Sequence, residues 1–207
     1  KTAVGGNWQA NPTEGFDNFG VSGKGGVDAV VAKFNEAGTT MWVELFGGSG
    51  WQHTGIAIAV DNLGSVYSAG RVNAVVDFSG GNAIGVNAGS EHDPYLIRHN
   101  AATGAYVCAA LLFGGPDERK NEARGVAIDA SGRPLIAGYF QGDIDFDPSG
   151  VSEQFTSSGL GDGYVARYTP DCAVDAAAET TDDEDPIVED PIVEDPIVED
   201  PIVEDPI

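Results

Sequence analysis

The sequence predicts an all-β protein built from a repeated antiparallel sheet, and three observations predict it. Long segments recur along the chain, the β-prone runs are short and separated by Gly-bearing turns, and helix-period stripes of useful length are missing. Asp28-Ala-Val-Val-Ala-Lys-Phe34 matches Asp93-Pro-Tyr-Leu-Ile-Arg-His99 and Asp162-Gly-Tyr-Val-Ala-Arg-Tyr168, at spacings of 65 and 69 residues. Phe46-Gly-Gly48 returns as Phe113-Gly-Gly115, and Asp77-Phe78 as Asp145-Phe146. The stretch Ile58-Ala-Val-Asp-Asn-Leu-Gly-Ser-Val-Tyr-Ser-Ala-Gly70 returns 68 residues later as Val126-Ala-Ile-Asp-Ala-Ser-Gly-Arg-Pro-Leu-Ile-Ala-Gly138.

Taken in order, Val4-Gly-Gly-Asn-Trp-Gln9 with Phe16-Asp17 reads as a degenerate copy of Ile136-Ala-Gly-Tyr-Phe-Gln141 with Phe146-Asp147, so the chain is expected to begin inside a repeat. The next unit gives strands at about Ala29 to Phe34, Thr40 to Phe46, Gly55 to Val60 and Ser65 to Gly70, with Ala74 to Phe78 as a continuation or rim hairpin. Asn35-Glu-Ala-Gly38 and Asp61-Asn-Leu-Gly64 carry residues that tolerate positive φ, which tight antiparallel connections require. Four meandering strands per unit make a propeller blade. The expected architecture is a partial β-propeller of about 2.5 four-stranded blades, where closed rings have about 4 to 8. The expected parts are a partial blade over 1–38, full units over 39–104 and 105–172, and a linker over 175–207. Further blades, from the same or another chain, are the partners this arithmetic calls for, the same-chain continuation being favoured because both ends fall inside repeats.

The order Asp-Ala-Val-Val-Ala-Lys-Phe, Trp42, Phe46-Gly-Gly48, Ile58-Ala-Val-Asp61, Gly64, Val66-Tyr67, Gly70 and Asp145-Phe-Asp-Pro148 resembles the bacterial seven-bladed β-propeller (SBBP) repeat over residues 4 to 174. The middle unit departs with Asp77-Phe-Ser-Gly80, and the first with Phe16-Asp-Asn18. The resemblance implies a secreted or surface-attached bacterial protein with a scaffold or adhesive role and no defined reaction.

Beyond Thr181 the composition changes to Glu-Asp-Pro-Ile-Val repeats starting at Glu184, Glu189, Glu194, Glu199 and Glu204. Twelve acidic residues and no basic one lie there, leaving residues 1–180 with 21 acidic against 10 basic side chains. Each Pro lacks an amide donor and pushes the preceding Asp out of the helical basin, while paired charges repel along the chain. One Ile-Val pair per five residues buries too little to offset ordering entropy, so an extended, polyproline-like spacer is expected. A net charge of -23 excludes binding to nucleic acid or anionic lipid, both of which depend on Lys and Arg displacing counterions. No run of about 18 apolar residues is present, so membrane insertion is not expected.

Candidate sites follow from residue type and spacing. Asp143, Asp145 and Asp147 alternate with Ile144 and Phe146, and an extended strand would aim the three carboxylates one way. Calcium, a hard cation that takes oxygen ligands, is the candidate guest, although Pro148 and Gln154 stand where an EF-hand loop needs Gly and Glu. A solvated strand face is the plainer reading. Trp51, after Phe46-Gly-Gly48, is the candidate ligand-stacking ring, whereas Trp42 is expected in the core. Cys108 and Cys172 lie near the same hairpin of neighbouring units, where an oxidising compartment would allow a disulfide between them. Asp28, Asp93 and Asp162 read as turn caps before strands, and Asp61 and Asp129 as hairpin residues. His53, His92 and His99 lack metal-type spacing, and no nucleophile elbow, phosphate loop or Cys-x-x-Cys is present. The expectation is a non-catalytic extracellular scaffold or adhesion module carried on the acidic spacer. Its rivals are a calcium-dependent module that binds a surface glycan or protein, and a subunit that assembles into a fibre or ring.

Overall fold

The structure, a computed structural model, describes residues 27–48, 53–73, 75–78, 92–114, 120–147 and 154–175, with 2–9 and 83–84 as backbone. Trp51, residues 16–18 and the repeat segment 176–207 lie outside the described residues. All regular structure among the described residues is strand, and every strand pairing is antiparallel.

Three main sheets account for most of it. The first joins β1 (Thr2–Gln9), β2 (Val27–Phe34) and β3 (Thr40–Phe46) in that order. The second is four-stranded, from β4 (Thr54–Val60) and β5 (Ser65–Val72) to β8 (Asp93–Asn100) and β9 (Tyr106–Leu111). Between them β6 (Val76–Asp77) and β7 (Ala83–Ile84) form a hairpin of their own. The third sheet joins β11 (Glu122–Ile128), β12 (Pro134–Phe140) and β15 (Asp162–Arg167). A small sheet of β10 (Phe113–Gly114), β13 (Asp143–Asp145) and β14 (Gln154–Thr156) accompanies it. Gly5 lies opposite Val31, Ala69 opposite Leu96 and Ala137 opposite Val165, so the sequence repeats align in register as well as in composition.

The strand bounds agree with the expected ones to within a few residues, but their grouping is corrected. The four runs from Ala29 to Gly70 do not share a sheet: β2 and β3 belong to the first, β4 and β5 to the second. The reason is in the connections. Asn35 Oδ1 accepts the Ala37 and Thr39 amides, and Asp61 Oδ1 the Leu63 and Ser65 amides, which close two tight hairpins. The link from β3 to β4 carries the chain to the next sheet. Each sheet therefore takes the second half of one sequence unit and the first half of the next.

Period-2 alternation explains why β5 and β8 are buried on both faces. Val66, Val72, Tyr95 and Ile97 pack with Ala29, Val31, Trp42 and Phe46 of the first sheet, together with Val76 and Phe78. Their neighbours Tyr67, Ala69 and Leu96 turn the other way, onto Ala123, Ile136, Phe140 and Tyr168 on the third-sheet side. The Phe46 ring meets Tyr95 edge-on with centroids 5.4 Å apart and Phe78 at 5.6 Å, contacts worth about 0.5–1.5 kcal/mol each beyond the area they bury. Trp42 is in the core, as its strand position predicts.

A bulge recurs at Gly55/Ala57 in β4 and at Ala123/Gly125 in β11. There the chain presses a carbonyl against the facing strand, and only Gly fits: a Cβ on Gly70 would sit 1.9 Å from the Thr54 oxygen, and one on Gly138 2.0 Å from that of Glu122. Equivalent tyrosines meet the same two carbonyls, Tyr95 Oη donating to Thr54 and Tyr164 Oη to Glu122, each at 3.4 Å.

Candidate functional site

Six of the buried polar groups among the described residues lie at or beside the starts of β2, β4, β8 and β11. Asp28, His53, His92, Asp93, Asn121 and Glu122 are all buried. Position in the repeat decides what each one does. The His53 amide donates to the Val27 carbonyl at 2.8 Å, and the Asn121 amide, 68 residues later, to that of His92 at 3.1 Å. Gly47 and Gly114 lie against the carboxylates of Asp28 and Asp93, and the Gly114 amide donates to Asp93 Oδ1 at 2.9 Å. Asp93 thus ties its strand to one that begins 20 residues later, a longer reach than the local turn cap expected of it. Asp162 does cap locally, accepting the Ser158 amide at 2.7 Å.

The same cluster continues outward through charge. Asn121 Oδ1 accepts the Gln141 amide at 2.9 Å, and Glu122 takes Arg71 at 3.0 Å and Arg124 through its other oxygen. Burial raises the Asp93 carboxyl to about 6, with the Gly114 amide pulling the other way. Burial lowers His53, opposed by the Asp28 carboxylate. His99 is pushed down to about 4 by burial alone, and its ring lies on Phe46 with centroids 6.2 Å apart. Its two ring nitrogens have no hydrogen-bond partner among the described residues. Neutral Asp93 and neutral His99 are what such surroundings favour near pH 5, and neither side chain is presented to solvent.

The acidic triplet keeps the alternation read from the sequence, with local partners for its oxygens. Ile144 and Phe146 do turn inward, while Asp143, Asp145 and Asp147 stay at least partly exposed, as the alternation predicts. Asp143 accepts the Thr156 hydroxyl at 2.6 Å, and Asp145 accepts the Asp147 amide at 3.0 Å, so their oxygens turn to their own chain. Among the described residues no group of three or more His, Cys, Asp or Glu converges as a metal site. Calcium at Asp143, Asp145 and Asp147 therefore has no preformed cage here.

Cys108 on β9 and Cys172 are joined, with Sγ atoms 2.07 Å apart and Cα atoms 5.9 Å apart. Cys172 occupies the turn position filled by Gly38 and Gly104 in the other copies, and it is the one non-Gly residue with positive φ among those described, at 60°. The bond ties the second sheet to the turn that follows the third. A shallow groove of about 280 Å³ lies between the equivalent Asp61–Gly64 and Asp129–Gly132 turns, with Leu63 at its rim. Asp61 and Asp129 are each committed there to two turn amides.

Sequence reasoning passed over Asn121 and Glu122, whose signal was faint: an Asn where the preceding copy has His53. Compared with protein-family models and with curated protein sequences, the chain matches none.

Proposed function

We propose that the chain is a non-catalytic scaffold or adhesion module of a secreted or surface-attached bacterial protein. On this reading the three sheets are successive blades of a partial β-propeller, and the Glu-Asp-Pro-Ile-Val repeats are a spacer. One observation carries it: buried polar groups near the strand starts are spent on holding distant parts of the chain together, as Asp93 holds Gly114 and Asn121 holds Gln141. Such groups are inaccessible to a solute, while the turns that reach solvent vary from copy to copy, which suits a surface that presents rather than transforms. The Cys108–Cys172 bond supports an oxidising location outside the cytosol.

The test couples the 207-residue chain to microspheres and measures retention under flow on panels of glycans and matrix proteins. Retention of the oxidised, folded chain on at least one panel member, lost on thermal unfolding, is the expected result. Equal retention of folded and unfolded chain on every surface refutes the adhesive role.

A further inference from the structure

All three histidines of the chain are buried, and two of them stand where the first sheet meets the second. His53, just before β4, donates its amide to the Val27 carbonyl of the first sheet, and the His99 ring of the second sheet lies on Phe46 of the first. In the next copy these positions hold Asn121 and Tyr168, which carry no charge in neutral or mildly acid water.

The groups around each ring decide what a proton would meet there. Burial acts most strongly on His53 and lowers it; Asp28 and the Gly48 backbone favour its proton, and His92 opposes it. Phe46 covers His99 from β3, Val66 and Tyr106 flank it from β5 and β9, and burial is the sole cause of its shift. From the first sheet, Lys33 is engaged on the Ala101 carbonyl beside Trp42, and Glu44 shares the half of β3 that carries Trp42 and Phe46. Charged rings would enter an apolar contact of Val31, Trp42, Phe46, Val66, Tyr95 and Ile97, where Asp28 is the carboxylate that favours a proton, and only on His53.

The second-to-third junction is built differently. Arg98, in the place of Lys33, donates to the Pro170 carbonyl at 2.9 Å, and Cys108, in the place of Trp42, is bonded to Cys172. Asp93, whose Oδ1 lies with Asn121 Nδ2 around Gly114, gains from acid, because burial favours its neutral form. Acid therefore weakens one junction and strengthens the other, even where the two effects nearly cancel over the whole chain.

We propose that the first-to-second junction is an acid-opened joint: protonation of His53 and His99 parts the first sheet from the second, while the Cys108–Cys172 bond keeps the second on the third. The sign follows from burial. An open junction gives both rings to water, so between about 4 and 6.5 the open form holds a proton on His99 that the closed form lacks, and opening is favoured as pH falls. Each pH unit of that window multiplies opening by up to about tenfold per histidine. Near pH 8 both rings are neutral in either form and the junction stays shut. Opening bares Val66, Tyr95 and Ile97, so acid turns a closed module into one that offers an apolar sheet face.

Hydrogen–deuterium exchange of the oxidised 207-residue chain, read by mass spectrometry from pH 4.5 to 7 and corrected for the intrinsic pH dependence of exchange, tests it. Protection of β2 and β3 is expected to fall by at least about tenfold between pH 6.5 and 4.5, and that of β12 and β15 by less than about threefold. His53→Asn and His99→Phe, which follow Asn121 and Phe34 at the equivalent positions, should each blunt the fall and together abolish it. Equal loss of protection in both regions, or none in either, overturns the acid-opened joint, and so does a double variant that keeps the wild-type fall. Thermal melts at pH 7 show which variants are folded; the wild-type comparison between the two regions needs none of them and decides by itself.

Discussion

Asp93 and His99 stand six residues apart on β8, both buried, and burial shifts them in opposite directions over the same range of pH. The Asp93 carboxyl, ordinarily at 3.8, titrates at about 6 in the folded chain. Between those values the folded state holds a proton that the unfolded state has released, so stability falls as pH rises through the window. His99 goes from an ordinary 6.5 to about 4. There the unfolded state holds the extra proton, so stability rises with pH from about 4 to 6.5. At about 1.4 kcal/mol per pH unit, each group moves stability by about 2–3 kcal/mol between pH 4.5 and 6.5, with opposite sign. Their sum is nearly level. Separating the two reveals it: Asp93→Asn leaves the histidine's upward slope, and His99→Phe leaves the carboxyl's downward one. Phe is a fitting replacement because Phe34 holds the same repeat position on β2. Urea unfolding of the three proteins, followed by far-UV circular dichroism at half-unit steps of pH, measures the differences from wild type. Difference curves flat to within about 0.5 kcal/mol across the window would show that neither group is held out of water as described.

Three further outcomes are expected. Cys108→Ser opens a loop of sequence separation 64 and should cost about 4 kcal/mol by chain entropy, read as a lower urea midpoint. In that background Cys172→Gly should recover about 1 kcal/mol, because its φ of 60° suits Gly, whereas Cys172→Ala should recover none. Gly70→Ala and Gly138→Ala drive a methyl into a backbone carbonyl and should each lower stability by about 2 kcal/mol or more. Gly125→Ala, with nothing within 4 Å, should stay within about 1 kcal/mol of wild type, and equal effects at all three sites would count against the bulge geometry. Millimolar calcium should leave the melting temperature unchanged by more than about 1 °C, since Asp143 and Asp145 already hold Thr156 and the Asp147 amide; a rise of several degrees would restore the cation site.

Strands, hairpins and core aromatics were legible because their causes are local. Alternation along Val66–Val72 decides which face each side chain joins, and Asn35 or Asp61 with a following Gly decides a turn. What was not legible depends on which sheet a strand joins. The sequence unit runs from β2 to β5, and nothing in its composition says that Phe46-Gly-Gly48 is a crossing between sheets rather than another hairpin. The Asp93 to Gly114 bond was hidden for the same reason: a carboxylate before a strand looks like a turn cap until its distant amide is placed beside it. Asp143, Asp145 and Asp147 show the opposite case: their alternation was legible, whereas the Thr156 hydroxyl and the Asp147 amide that their oxygens accept are set by the folded chain.

Differences between copies carry more information than their likeness. A device that recurs unchanged, such as the Gly70 and Gly138 contacts, reports a constraint of the sheet itself. One that changes reports what a particular junction needs. Between the first and second sheets a Lys33 bond and a Trp42 bond to one carbonyl suffice. Between the second and third, the indole gives way to a covalent bond, and a turn residue that elsewhere is Gly accepts a left-handed backbone so that Cys172 can be placed. A left-handed L-residue costs about 1–2 kcal/mol and the crosslink gains about 4, so the exchange is favourable only where sulfur is oxidised. The junction nearest the acidic repeats in sequence is therefore the one whose strength depends on the redox state of its surroundings. Under reducing conditions the third sheet keeps the Arg98 bond to Pro170 and its apolar contacts, and is expected to be the first to open.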